Sequence, residues 1–278
     1  MKLFRFNGGR IGILTNDGAN NGGAYDITDA LGIDLSAWPP VQMVTLIADF
    51  QNRTRGITDN PKTKKIDMAA IRLEVPIEWP NKLMALPVNY YEHKAEMNSP
   101  NRADLNGFFL KANSSLSGPN DPIVLPSLPG REIHHECELG IVLGKKGRNV
   151  TRENALDYIF GYACLIDVVV RGKEERVMRK SWDSFCPFGP WIVTADEIPD
   201  PSDVKMKLWV NGDLRQDDST KNLIVDIPGM IELVSKVSTI YPGDIIATGT
   251  PSGVGPIKAG DKVRIAIDHV GEMNLTVK

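Results

Sequence analysis

Cysteine is scarce in this chain: Cys137, Cys164 and Cys186 are three in 278 residues, at spacings that suit neither a disulfide framework nor a zinc knuckle. They read as buried reduced thiols. Long apolar runs are also missing. Nothing approaches the roughly 20 residues that cross a bilayer, and the Met1-Lys2-Leu3-Phe4 start lacks the apolar stretch of an export signal. No membrane partner is expected, and a cytoplasmic location follows by default. Nor is there an excess of positive charge. With 32 Lys and Arg against 35 Asp and Glu, a net charge of −3 and a pI near 5.9, there is no footprint for a phosphate backbone. Nucleic acid is set aside, and basic clusters such as Lys62, Lys64 and Lys65 read as solvated loop.

What is present is an ordinary globular composition, 42% hydrophobic and 24% charged with the signs dispersed, in a chain long enough for one large domain or a domain with a small appendage. Residues 1–70 read as a small separate unit of hairpins, with Ile11-Gly12-Ile13-Leu14 as one strand. A helical stretch around Val41 to Phe50 follows, then a polar loop from Gln51 to Lys65, and a boundary near Ala70. From Leu73 onward, residues 71–278 form the main domain, where dense proline and glycine punctuate short Val- and Ile-rich runs. The fold class is α+β, mainly β, with short helices. Thr151 caps a helix with Ala155, Tyr158 and Ile159 on one face, and Asp226 with Pro228 starts another carrying Ile231, Val234 and Val237. Val263, Ile265 and Ile267, then Met273, Leu275 and Val277, alternate as a terminal hairpin turning near Gly271.

The chemistry starts at Glu136-Cys137-Glu138, which runs into apolar Ile141-Val142-Leu143. In a strand both carboxylates share one face about 7 Å apart, while Cys137 packs on the other. Two glutamates so spaced also line solvated faces. Asp167 raises the stakes, because it sits between Tyr162-Ala163-Cys164-Leu165-Ile166 and Val168-Val169-Val170. A buried carboxylate requires a cation, either Arg171 as an ion-pair partner or a metal. Three oxygen ligands suit Mg²⁺ or Mn²⁺ and leave positions for a bidentate substrate. His93 and Glu96 stand three apart, and read either as helical neighbours that can share a proton or as an incidental surface pair. Gly249-Thr250-Pro251-Ser252-Gly253-Val254-Gly255 follows an apolar strand, and reads either as an anion-holding turn or as a plain one. His134 and His135 support the first carboxylate or are strand residues.

Taken in order, Asn89-Tyr90 with His93 and Glu96, Phe109-Leu110-Lys111, the glutamate pair, Asp167, Arg179-Lys180-Ser181, Phe185-Cys186-Pro187-Phe188-Gly189-Pro190-Trp191 and the 248–255 turn resemble the fumarylacetoacetate hydrolase superfamily over residues 83–278. The resemblance implies a mixed β-sandwich roll, a homodimer, and Mg²⁺ or Mn²⁺ on Glu136, Glu138 and Asp167. It further implies Lys180 beside metal and substrate, Thr250 and Gly249 on the substrate carboxylate, Arg171 as a substrate contact, and His93 and Glu96 as an acid–base dyad on a lid. His135, Tyr91 and Val169-Val170 depart from the residues usual at those places, which leaves specificity open.

The implied reaction is hydrolysis of a C–C bond in an acylpyruvate such as fumarylpyruvate or maleylpyruvate, releasing pyruvate in aromatic-compound catabolism. The alternatives are oxaloacetate decarboxylation, isomerisation of a 2-hydroxyhepta-2,4-diene-1,7-dioate, and non-catalytic binding of a metal and a 2-oxo acid. The retained dyad speaks against the last.

Overall fold

The strand that carries the two glutamates lies in the middle of the molecule because its apolar residues are needed on both faces. In the computed structural model, which describes residues 1–15, 22–198 and 200–278, Cys137–Leu143 is buried at every position. Cys137, Leu139, Ile141 and Leu143 enter one core, with Met230, Ile231 and Val234 of the Ile227–Val237 helix and Leu208, Ile265 and Met273. Val142 enters another, with Leu3, Ile11, Leu46 and Phe188. The period of two that separates the glutamates from Cys137 is thus the period that divides two cores.

Among the described residues the main sheet has twelve strands. Its middle runs Lys2–Phe6, Cys186–Thr194, Ile159–Ile166, Cys137–Leu143, Ile245–Ala247 and Leu83–Ala85. Most neighbours are antiparallel, but Ile245–Ala247 pairs parallel with Leu83–Ala85, so the sheet is mixed. A four-stranded sheet including Lys205–Val210 and the terminal hairpin Lys262–Ile267 with Gly271–Thr276 covers the first core. A three-stranded sheet of Val169–Val170, Ile133–His135 and Gly255–Pro256 sits beside the glutamates. Mainly β with short helices is therefore what forms, and no helix of the described residues is long and apolar enough to cross a membrane. The strand at Lys2–Phe6 pairs with Cys186–Thr194, so the sheet continues from the first residues into the centre.

Several local expectations change. Thr151 gives no side-chain cap; residues Arg152–Tyr158 form a 3₁₀ segment, and Ile159 opens the next strand. Val237 is 63% exposed: the helix turns Ile227, Met230, Ile231 and Val234 to the core and ends at Val237 itself. The stretch expected as loop from Gln51 includes most of the short helix Phe50–Thr54, and the strand Lys64–Ile66 begins inside it. Asp226 does cap its helix, accepting from the backbone N–H of Gly229 at 3.0 Å.

Asp244 ties the parallel pair together from a fully buried position. It accepts from the backbone N–H groups of Lys82 (2.9 Å) and Tyr241 (2.8 Å) and pairs with Lys82 Nζ at 2.6 Å. Asp244→Ala leaves two backbone donors without their partner, and we expect it to cost about 2–4 kcal/mol in urea unfolding, with Asp244→Asn losing less. Equal midpoints for wild type and Asp244→Ala would show that the strand ends are held by packing alone.

Candidate active site

One antiparallel pairing assembles the carboxylates. Cys137 lies opposite Ile166, so the next pair outward is Glu136 with Asp167, whose backbone N–H donates to the Glu136 carbonyl at 2.9 Å. Glu138 is one period inward on the same face. The three side chains offer ligand atoms that all lie within 4.8 Å of one another, and all three residues are buried. Cys137 packs on the far side, fully buried, as expected.

Two lysines balance them. Lys180, the last residue of the Arg176–Lys180 helix, donates to Glu136 Oε2 at 2.6 Å and to Asp167. Lys111, beyond the strand Phe109–Leu110, donates to the other Asp167 oxygen and to the Phe185 carbonyl at 3.1 Å. The ion pair read between Arg171 and Asp167 does not form: Arg171 Nε donates to His134 Nδ1 at 3.1 Å, and the lysines take the aspartate. Burial works to raise the Glu136 carboxyl, but Lys180, His93 and Arg171 outweigh it and hold the group below its ordinary range. Glu138 goes the other way, pushed well up by burial and by the charge of Asp167. Burial opposes the Lys180 charge, yet the three carboxylates hold its ammonium above the usual value. Crowded, dry carboxylates of which one resists ionisation are what a divalent cation relieves, and an all-oxygen set fits Mg²⁺ or Mn²⁺.

The dyad forms as the spacing suggests. His93 and Glu96 lie on the helix Tyr91–Glu96, with His93 Nδ1 and Glu96 Oε2 2.7 Å apart. An Nδ1 proton given to the carboxylate leaves Nε2 as an acceptor. The other Glu96 oxygen accepts from the Gly253 N–H at 3.1 Å.

The glycine turn holds two of the protein's own carboxyl groups. Gly249 N–H donates to Glu138 Oε2 at 2.8 Å, at the opposite end of the turn from the Gly253 bond to Glu96. Gly249 thus braces a glutamate, and Thr250 supplies the side chain that faces the cavity. The Thr250 hydroxyl accepts from Gln216 Nε2 at 2.7 Å, which leaves its own hydrogen to donate elsewhere. Gln216 Oε1 accepts from Cys137 N–H at 2.9 Å and lies 3.1 Å from His135 Nδ1, so the amide joins the glutamate strand to the turn. Gln216 and the pairing role of Lys111 escaped the sequence reading. Gln216 lies in Asp213–Ser219, a strand of mostly exposed polar residues, and nothing in that composition marks it as buried.

Glu136, Glu138, Lys180, His93, Arg171 and Thr250 all line one cavity of about 250 Å³. A larger groove of about 850 Å³ beside the helix Ile227–Val237 holds none of these residues, and its size alone gives it no chemistry.

With this geometry in place, comparison with known proteins is direct: residues 82–278 match the family described as Fumarylacetoacetate (FAA) hydrolase C-terminal. The chain belongs to the fumarylacetoacetate hydrolase family. Within it, the chain is 38% identical to a maleylpyruvate hydrolase of Aquipseudomonas alcaligenes, over all of this chain and 99% of that one. Among solved structures it resembles maleylpyruvate hydrolase from Sphingobium sp. SYK-6 in complex with manganese(II) and pyruvate, at 52% identity and a TM-score of 0.88, covering 100% of this chain and 98% of that one. A 5-carboxymethyl-2-hydroxymuconate delta-isomerase from Mycobacterium smegmatis is more distant, at 34% identity and a TM-score of 0.77 over 100% and 98% of the two chains.

His135, buried beside the first glutamate, makes a pH prediction. Burial drives its pKa down to about 4 despite the bond to Gln216, so folded protein keeps it neutral while the unfolded chain protonates near 6.5. Between these values the unfolded state binds more protons, so stability is full above about pH 6.5 and falls as pH drops toward 4. The loss is roughly 3 kcal/mol at most. We expect His135→Gln to flatten this part of the profile in urea unfolding of metal-free protein at pH 7 and pH 5. Parallel losses in wild type and variant would mean that His135 is not held neutral.

Proposed function

We propose that this protein is a divalent-metal-dependent hydrolase of acylpyruvates, 2,4-dioxo acids such as maleylpyruvate or fumarylpyruvate, cleaved to pyruvate and a carboxylic acid in aromatic-compound catabolism. The observation that carries the reading is that two carboxylates of the metal cluster, Lys180, Thr250 and His93 of the His93–Glu96 dyad face one small cavity. The manganese- and pyruvate-bound relative supports both the metal and the 2-oxo acid.

Glu136, Glu138 and Asp167 hold Mg²⁺ or Mn²⁺ in this reading. When bound, the ion supplies Lewis acidity to the substrate's 1-carboxylate and 2-oxo group. Everything else falls to the chain's own residues. Thr250, its hydroxyl freed as a donor by Gln216, binds the carboxylate, and Arg171 stands on the substrate side of the cavity. His93 Nε2 takes a proton from water as that water adds to the C4 carbonyl, and Glu96 on Nδ1 orients the ring and stabilises its positive charge. The C3–C4 bond then breaks, with its electron pair left on the pyruvate half. Lys180 compensates the charge that develops there, from a position already fixed by two carboxylates. The proton that His93 took from water is returned to C3, which completes pyruvate and restores the neutral imidazole.

Decarboxylation of oxaloacetate and isomerisation of a hydroxydienoate need the same ion but no activated water, so the dyad favours hydrolysis. The maleylpyruvate hydrolase relatives, at 38% and 52% identity, weigh the same way against the isomerase at 34%. Assembly as a homodimer belongs to this reading through the family resemblance.

Treatment with EDTA is expected to abolish activity, and Mg²⁺ or Mn²⁺ to restore it, while Asp167→Ala loses Mn²⁺ affinity in calorimetry. Full turnover by rigorously metal-free protein would contradict the metal assignment. The dyad is tested by Glu96→Gln, which should lower kcat by about 10²–10⁴-fold while Mn²⁺ and oxalate still bind. The decisive assay follows pyruvate from maleylpyruvate, fumarylpyruvate, acetylpyruvate and oxaloacetate; if oxaloacetate is best by kcat/KM and no acylpyruvate is cleaved, the decarboxylase reading replaces this one.

A further inference from the structure

The same cavity carries more positive charge than the reaction at its metal end requires. Besides Lys180 and Arg171 it is lined by Arg176 and Arg179, and its lining also includes the apolar side chains of Leu86, Met97 and Phe109. Among the described residues, none of the three guanidinium groups has a carboxylate partner. Arg171 is tied to His134, and Arg179 to the backbone carbonyls of Glu174 (2.7 Å) and Val170 (3.4 Å). Glu174, the acid of the same loop, is already engaged by Arg131 through two bonds of 2.8 Å. The Arg176 guanidinium makes no hydrogen bond to any of the described residues, and the residue is only half-buried. The arginines also feel one another: burial, followed by Arg176 and Arg171, lowers the Arg179 pKa from its ordinary value.

Helix geometry places this charge. Arg176 and Lys180 are four residues apart, so they share a face, with one end of the pair at the carboxylate cluster and the other about one turn, roughly 6 Å, away. An acyl group of a few carbons extending from a 2-oxo acid head spans such a distance. The apolar lining residues suit its carbon chain, and uncompensated guanidinium groups suit a terminal anion.

We propose that Arg176, supported by Arg179, binds the distal carboxylate of the acyl group, and so makes this protein selective for acylpyruvates whose acyl half is itself a carboxylic acid. The inference rests on the acylpyruvate reading for the position of the head, and it assigns the far end. Arg179 is held by two carbonyls and presents a fixed charge; Arg176 is free to form a forked pair. A neutral acyl tail leaves both charges unmatched in a confined space.

The test separates the tail from the chemistry. With Mn²⁺-loaded protein, calorimetry compares 2-oxoheptanedioate with 2-oxoheptanoate, which differ only in the terminal carboxylate, and kinetics compare maleylpyruvate with acetylpyruvate. Wild type is expected to favour the dicarboxylic member of each pair by about 10- to 100-fold. In Arg176→Gln, a change that breaks no existing hydrogen bond, that preference should collapse to within about threefold of parity. Equal affinity of wild type for the two acids overturns the proposal, and so does a variant that weakens both alike and keeps the ratio. A dioate preference that depends on Arg176 in a protein that cleaves no acylpyruvate would uphold the subsite while removing the hydrolase reading.

Discussion

The pairing of Glu136 with Asp167 across two central strands is the constraint from which the rest of the site follows. It concentrates negative charge between two apolar cores, in a place where water cannot disperse it. Such a cluster persists only if cations reach it from elsewhere in the chain. Lys111 arrives from the edge of the sheet and Lys180 from the short helix after Val169–Val170, so two loops are drawn against the central strands by charge as well as by packing. Lys180, which pairs with two of the carboxylates, also lines the cavity they face.

The fold was legible where a face had to be buried. Alternation in 263–277 specified the terminal hairpin, and Asp226 with Pro228 specified a helix start, because both signals are local. The helix expected after Thr151 came out as a 3₁₀ segment because the chain must re-enter the sheet at Ile159, a tertiary demand that propensity does not express. The carboxylates were legible for a different reason: an acid inside an apolar run is costly, and the cost is visible in one dimension. Its partners were not. Arg171 is four residues from Asp167 and invited pairing, while Lys111 is 56 residues away and won, since register and not proximity along the chain decides which ammonium reaches the cluster.

Polar residues that position others were the least visible. Gln216 looks like one more polar residue in a solvated strand, yet it is buried and spends both ends of its amide, one on the glutamate strand and His135, the other on Thr250 and the Pro251 carbonyl. No spacing rule marks such a residue, because its partners come from three separate elements. Asn89 behaves alike, bonding Val225 and Thr248 and so fixing the segment that leads into the dyad helix.

The turn at residues 249–253 shows why these parts belong to one device. Its first glycine braces Glu138 of the metal cluster and its last braces Glu96 of the dyad, while Ser252 donates to Glu92 on the dyad helix at 3.0 Å. Both glycines adopt positive φ, and a Cβ would fall 2.7 Å from Asn89 Cβ at the first and 2.0 Å from the Arg215 carbonyl oxygen at the second. Close approach of backbone to backbone is therefore what lets a single turn reach both carboxylates. The glycine-rich sequence suggested a cradle for a ligand's charge. In the structure it fixes the relative position of Glu138 and Glu96, with Thr250 between them lining the cavity.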